Sequence, residues 1–138
     1  MRSGPAAAIL AVVLSFAASP VQAEDCPAKS NAMEDVIATL NQAPSCDRAM
    51  KIFEACALGA SGDVQYGAAV ESKCEGDFLS RLKAPKKQAY QREMGVCDRK
   101  YRNQSGTMYL SFTAFCRAKV AQRYSQKALK AASPARAR

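Results

Sequence analysis

The fold is decided by residues 45–74, which read SCDRAMKIFEACALGASGDVQYGAAVESKC. Ser45 stands where a helix N-cap is expected, and the apolar face of that helix carries Ala49, Ile52, Phe53 and Cys56. The glycine-containing stretch 59–62 ends it, and Asp63 stands where a second helix needs a cap. The apolar face of this second helix carries Val70, Cys74, Phe78 and Leu82. The stretch therefore predicts an antiparallel helical hairpin.

Three further helices flank this hairpin. One is predicted over about residues 31–40, another begins near Pro85, and the last follows a turn at 103–106 with Thr107 as its cap. Their apolar faces predict a buried core rather than a ligand site, and they carry Met33, Val36, Ile37 and Leu40; Tyr90, Met94, Cys97 and Tyr101; and Met108, Phe112, Phe115, Cys116, Val120 and Tyr124. No stretch alternates as a strand would, so the predicted fold class is all-α, a small domain of about five helices in antiparallel hairpins.

The positions of the turns predict which cysteines meet. Residues equidistant from a hairpin turn lie level with each other, so a turn near Ser61 places Cys46 close to Cys74. Cys46 cannot bridge to Cys56, because a continuous helix separates their Cα atoms by about 15 Å. A disulfide spans at most about 7 Å between Cα atoms.

A turn near Ser105 places Cys97 close to Cys116 in the same way, which leaves Cys26 for Cys56. Six cysteines allow many connectivities. The predicted disulfides are therefore a hypothesis, which a Cys74–Cys97 link would overturn; they are Cys26–Cys56, Cys46–Cys74 and Cys97–Cys116.

The first 23 residues have the features of a secretory signal peptide. Arg2 supplies a positive charge, residues 5–16 are apolar, and Ala23 ends a small-residue cleavage site. The apolar run is shorter than the roughly 20 residues of a membrane span. We expect cleavage after Ala23, a disulfide-bonded domain over 24–124, a basic and disordered tail over 125–138, and a periplasmic or secreted location.

The residue types disfavour metal binding, cofactors and catalysis. The chain has no histidine and no Cys-x-x-Cys pair, so neither the usual metal-ligand spacing nor a histidine base is present. Glu71 and Glu75 lie four residues apart on one helix face, but such a pair is more often solvated than catalytic. We expect a protein that is not an enzyme and has no metal and no cofactor.

The charge is divided between two halves of the chain. Residues 24–77 hold ten acidic against four basic residues, and residues 78–138 hold fifteen basic against two acidic ones. An exported chain rarely meets nucleic acid, so anionic envelope surfaces and acidic proteins are the expected partners of the basic half, with solvated helix faces as the alternative. The candidate anionic-surface contacts are Arg117, Lys119, Arg123, Lys127 and Lys130.

Several short motifs resemble the LprI-like lysozyme-inhibitor family of bacterial envelope proteins. They are Tyr90-Gln91-Arg92 ahead of Cys97, the turn Gly106-Thr107-Met108 ahead of Cys116, and Arg123 on the last helix. The resemblance covers residues 90–123 best, with Tyr90 in the place of the family's Trp. The resemblance implies an envelope-located binding protein that in some members inhibits lysozyme, and because animal lysozymes are basic, the candidate acidic contacts are Asp63, Glu71, Glu75 and Asp77. It also implies that Cys46 and Cys56 match the family's N-terminal cysteine pair, in which case the chain between them is not one straight helix.

The leading functional prediction is therefore an exported, non-enzymatic binding protein that inhibits a lysozyme-like enzyme in the periplasm. Two alternatives stay open. One is a saposin-like or basic helical protein that binds anionic membrane or envelope surfaces through its last helix. The other is a periplasmic stress chaperone. Inhibition of lysozyme and sedimentation with anionic vesicles distinguish the first two readings.

Overall fold

The computed structural model describes residues 24–133, and these residues form five α-helices and no strand. The fold class predicted from the sequence is confirmed. A short 3₁₀ helix, Leu79–Arg81, lies between the third and fourth α-helices. The helices are α1 (Met33–Gln42), α2 (Cys46–Cys56), α3 (Asp63–Glu75), α4 (Ala84–Lys100) and α5 (Thr107–Ala132).

The three predicted disulfides are the ones the structure contains. They join Cys26 to Cys56, Cys46 to Cys74, and Cys97 to Cys116. The Cα atoms of the α2–α3 bridge lie 4.6 Å apart and those of the α4–α5 bridge 5.6 Å apart. Helix α2 is continuous from Cys46 to Cys56, so the two are not partners, and the bent arrangement implied by the family resemblance is wrong.

The helix ends agree with the sequence at one cap and differ at two others. Ser45 caps α2 by accepting a hydrogen bond from the backbone N–H of Arg48 at 3.1 Å. Asp63 instead begins α3, whose N-cap is Gly62, and its side chain points back into the preceding loop. Gly106, at φ 113°, is the N-cap of α5, so Thr107 is not its cap. A glycine adopts this backbone conformation without steric cost and needs no capping side chain.

Two segments have a different extent from the prediction. Helix α3 ends at Glu75, so Phe78 lies in the turn that follows it and Leu82 comes directly after the 3₁₀ helix. Helix α5 continues to Ala132, so the disorder predicted for residues 125–132 is wrong. Ser125 is buried and donates to the carboxyl of Asp77 at 2.5 Å, which holds this part of α5 against the domain. The predictions for residues 1–23 and 134–138 lie outside the described residues.

Helix α3 is the centre of the core. It packs against α1, α2 and α5, most extensively against α5. The closest approach is at Gly67, where an added Cβ would lie 2.9 Å from the Cβ of Ala114. On the other side of α5, the ring of Phe115 stacks on that of Phe53 at a centroid distance of 4.0 Å. The core residues buried to 1 % exposure or less include Val36, Leu40, Ala49, Phe53, Val70, Cys74, Cys97, Ala118 and Ala121.

The close approach of α3 and α5 at Gly67 predicts that a glycine-to-alanine substitution affects stability in opposite directions at Gly67 and at Gly95. Gly67→Ala is expected to lower the free energy of unfolding by about 1–3 kcal/mol, because the added methyl meets the neighbouring helix at Ala114. Gly95→Ala is expected to leave stability unchanged or to raise it by roughly 0.5–1 kcal/mol through helix propensity. The nearest atom to an added Cβ at Gly95 is the flexible guanidinium tip of Arg99. Urea unfolding of the oxidised proteins measures the stability of both variants. Equal losses would show that α3 and α5 are not tightly packed at Gly67.

Candidate functional site

The four acidic residues predicted to contact a partner are all engaged within the chain. Asp63 is 1 % exposed and accepts hydrogen bonds from Ser111 Oγ at 2.6 Å and from loop backbone N–H groups. Glu75 accepts from the Tyr90 hydroxyl at 2.8 Å, and the remaining two are held by residues of α5. Burial removes Asp63 from any surface, so its role is to tie the α2–α3 loop to α5.

Arg117 connects three helices. Its guanidinium donates to Glu71 on α3 at 2.9 Å and to Asp98 on α4 at 2.8 Å. The hydrogen bond with Glu71 contributes most to raising the pKa of Arg117 above its ordinary value. Arg123 makes a more exposed pair with Glu93 at 2.8 Å. Two of the five cations predicted to meet an anionic surface are thus engaged in internal ion pairs.

The other three predicted cations are exposed. Lys119, Lys127 and Lys130 make no ion pair within residues 24–133. The amine of Lys127 lies 5.7 Å from the centroid of the Tyr124 ring. These three lysines are spread over about three turns of α5.

Tyr90 and Tyr124 each donate a hydroxyl hydrogen bond to a glutamate. Burial, then the hydrogen bond to Glu75 and the charge of that carboxylate, raise the pKa of Tyr90 above its ordinary value. Burial and the hydrogen bond to Glu93 at 2.7 Å raise the pKa of Tyr124 as well. Together with Phe78, the two rings form a packed aromatic cluster between α4 and α5.

The raised pKa of Tyr90 predicts a loss of stability at high pH. Its contribution to folding is fully present below the unfolded-state pKa of about 10 and decreases as the pH rises towards the folded-state pKa. Tyr90→Phe is expected to lower the free energy of unfolding by about 1 kcal/mol at neutral pH, because the hydrogen bond to Glu75 is missing. Its stability is expected to depend less on pH above about pH 10 than that of the unsubstituted protein. Urea unfolding at a series of pH values measures this, and parallel curves for both proteins would contradict it.

Large apolar side chains are exposed at one end of the molecule, which we call the apolar end. Phe112 and Met108, predicted as core, are 41 % and 48 % exposed, because α3 covers the opposite side of the first turns of α5, at Ser111 and Ala114. Leu58 and Val64 belong to the same end, since Asp63 beside them is bonded to Ser111 of α5. The apolar end consists of Leu58, Val64, Val96, Met108, Leu110 and Phe112.

The α4–α5 turn adds cations and aromatic rings to the apolar end. Arg99, Lys100 and Arg102 are exposed there. The rings of Tyr101, Tyr109 and Phe112 pack at centroid distances of 5.6–6.0 Å from one another. Residues 99–112 contain no acidic residue. The contacts predicted from the sequence do not include these three cations. The stretch 99–112, with cations and no acid, could have indicated them.

A groove of about 710 Å³ extends from the apolar end between α4 and α5. Its floor includes the Cys97–Cys116 disulfide and Phe115, and its rim carries both acids and bases. Because the rim carries both charges, it does not favour an anionic ligand over a cationic one. The other lining residues are Glu54, Glu93, Val96, Lys100, Tyr101, Phe112, Lys119, Val120 and Arg123.

The described part of the chain therefore defines an all-α, disulfide-bonded protein with an apolar and cationic end. Within residues 24–133 no group of three or more metal-ligand side chains comes together. None of the described helices has the length and hydrophobicity that crossing a membrane requires. No protein-family model matches the chain, and no match was found among curated proteins or solved structures. The resemblance to the LprI-like family stays a prediction.

Proposed function

We propose that this chain is an exported, non-enzymatic binding protein that docks on anionic lipid surfaces through its apolar end. The observation that carries the proposal is the segregation of exposed apolar residues. Of the seven large apolar side chains exposed among the described residues, six lie at this end of the molecule, near the α2–α3 loop and the α4–α5 turn, and only Leu129 lies elsewhere. Exposed apolar side chains scattered singly need no explanation, but their concentration at one end of a molecule indicates an interaction surface.

The charge at the apolar end favours an anionic lipid surface over a neutral one. Arg99, Lys100 and Arg102 flank the exposed rings and aliphatic side chains. The acid nearest in sequence, Asp98, is paired with Arg117 at 2.8 Å. Each cation near an anionic leaflet adds about 1 kcal/mol to binding, and tyrosines favour the interface itself.

The disulfides support the location. Three disulfides and no free cysteine among the described residues indicate an oxidising compartment. Together with the predicted signal peptide over residues 1–23, they support a periplasmic or secreted protein. Anionic lipids of the cell envelope are surfaces that such a protein would meet.

Leu110→Ser tests the surface, with Leu129→Ser as its matched control. The two leucines are on the same helix and are 49 % and 47 % exposed, but only Leu110 belongs to the apolar end. Leu110→Ser is expected to weaken sedimentation with anionic phospholipid vesicles by about tenfold, through the lost apolar transfer. Leu129→Ser is expected to bind as the unsubstituted protein does.

Salt and lipid charge complete the experiment. Binding is expected to be stronger on anionic than on neutral vesicles and to decrease at 1 M salt, where charges are screened beyond about 3 Å. Equal binding to both vesicle types, or equal losses in the two leucine variants, would overturn the proposal. Circular dichroism of each variant shows whether it is folded.

Lysozyme inhibition is the more specific form of the binding proposal, and it rests on the family resemblance alone. Animal lysozymes are basic, so an inhibitor needs acidic surface. The internal bonds of Asp63, Glu71, Glu75 and Asp77 leave these residues little capacity for a partner. A turnover assay with micromolar protein tests inhibition directly. The stress-chaperone alternative gains no separate support.

A further inference from the structure

A second groove lies between the start of α4 and the last turns of α5, away from the apolar end. We call it the lysine groove. It has a volume of about 510 Å³, within the range of sites for a single small ligand. Three of its nine lining residues are alanines, whose short side chains leave space between the two helices. Its apolar lining is Phe78, Leu82, Pro85, Ala89, Ala128 and Ala131.

The charged groups that line the lysine groove are all cations. Lys86 and Lys127 stand at its rim, and no carboxylate is among the lining residues. A shallower continuation of about 300 Å³ shares the floor at Leu82 and Ala128 and reaches Arg81. The groove is therefore apolar along its floor and positive at its edges.

The start of α4 increases this positive potential. Its first turn contains Lys86 and Lys87 and no acid, and Lys83 at its N-cap makes no capping hydrogen bond. The partial positive charge of a helix N-terminus disfavours nearby cations, so three lysines here are unfavourable for the isolated helix. A bound anion would offset that cost.

Two carboxylates close in sequence to the lining residues, Asp77 and Glu93, bond to other partners and not to the rim lysines. Asp77 accepts from Ser125 at 2.5 Å. Glu93 accepts from Tyr124 at 2.7 Å and pairs with Arg123 at 2.8 Å. Within residues 24–133 neither lysine of the rim makes an ion pair.

We infer that the lysine groove binds a single-chain anionic amphiphile of the fatty-acid type. The headgroup lies between Lys86 and Lys127, and the chain lies on the apolar floor formed by Leu82, Ala128 and Ala131. Two charge-assisted contacts hold the carboxylate, and chain burial supplies the rest of the affinity. This site is separate from the apolar end, so it stands or fails independently of the proposed docking on lipid surfaces.

Calorimetric titration of the full oxidised chain with dodecanoate, below its micelle concentration, tests the inference. We expect one site that prefers dodecanoate to dodecyltrimethylammonium, which has the same chain and the opposite charge. The double variant Lys86→Gln/Lys127→Gln is expected to raise Kd by about tenfold or more. Ala131→Phe is expected to do the same, because the new ring occupies the floor.

Matched controls show whether the expected losses come from the lysine groove or from a general change in charge or hydrophobicity. Lys51→Gln/Lys119→Gln removes two exposed lysines outside the groove, and Ala38→Phe places a ring on the exposed side of α1. Both are expected to bind dodecanoate normally. Ala131→Phe is also expected to sediment normally with anionic vesicles, because the apolar end is unchanged.

Three results would overturn the inference: no binding by the unsubstituted protein, equal binding of the cationic amphiphile, or an unchanged Kd in a folded Ala131→Phe variant. Loss of dodecanoate binding in Leu110→Ser but not in Ala131→Phe would place the site at the apolar end and would also overturn it. Circular dichroism and the thermal midpoint establish that each variant is folded.

Discussion

Asp63→Ala is expected to lower the free energy of unfolding by about 3–5 kcal/mol. The carboxyl of Asp63 is 1 % exposed and accepts from the backbone N–H groups of Leu58, Gly59 and Ala60. It also accepts from the hydroxyl of Ser111 at 2.6 Å. Alanine leaves the buried hydroxyl of Ser111 and three part-buried backbone N–H groups without their partner.

The control for Asp63→Ala is Asp25→Ala, which removes the same charge from an exposed position. We expect that change to alter stability by less than about 0.5 kcal/mol. Urea unfolding with the disulfides intact measures both variants. A similar, small loss in the two would mean that Asp63 does not organise the loop between α2 and α3.

Removal of the Cys46–Cys74 disulfide by Cys46→Ala/Cys74→Ala is the second large expected effect. The bridge closes a loop of 28 residues, for which chain entropy predicts a loss of about 3.5 kcal/mol. Both cysteines are also buried, at 2 % and 0 % exposure, so their removal leaves space in the core between α2 and α3. Unfolding in urea under oxidising conditions measures the loss.

Cys26→Ala/Cys56→Ala is the matched comparison. Its bridge spans 30 residues, so the effect on the unfolded chain is nearly the same. Cys26 is only partly buried and belongs to a segment without a helix, so we expect the smaller loss here. An equal or larger loss would show that the α2–α3 bridge has no additional role in the core.

Most of the architecture could be predicted because it depends on local periodicity. Apolar spacing over a few turns predicts each helix, and the two short turns define hairpins in which only certain cysteines can meet. Cys46 with Cys74 and Cys97 with Cys116 follow from that register. The N-cap at Ser45 could also be predicted, because its partner, the backbone N–H of Arg48, is only three residues away.

Features that depend on distant residues could not be predicted. Asp63 has the residue type of an N-cap, yet Ser111, 48 residues away, helps to hold its side chain in the loop. The composition of residues 125–132 is typical of a disordered tail, but the bond from Ser125 to Asp77 and the packing of Ala128 keep them helical. Neither partner is visible in a local window.

The sequence by itself determined that the chain is helical and which cysteines pair, because helix periodicity and hairpin register are properties of neighbouring residues. Only the tertiary structure decided which apolar faces are covered and which charges stay available. Phe112 and Met108 have the spacing of core residues, but α3 covers the opposite side of this part of α5 and leaves them exposed. Glu71 looks like a surface acid, but Arg117, 46 residues away, binds it. The exposure of a side chain and the pairing of a charge depend on which residues of other helices pack against it, and those residues are brought together only when the helices assemble.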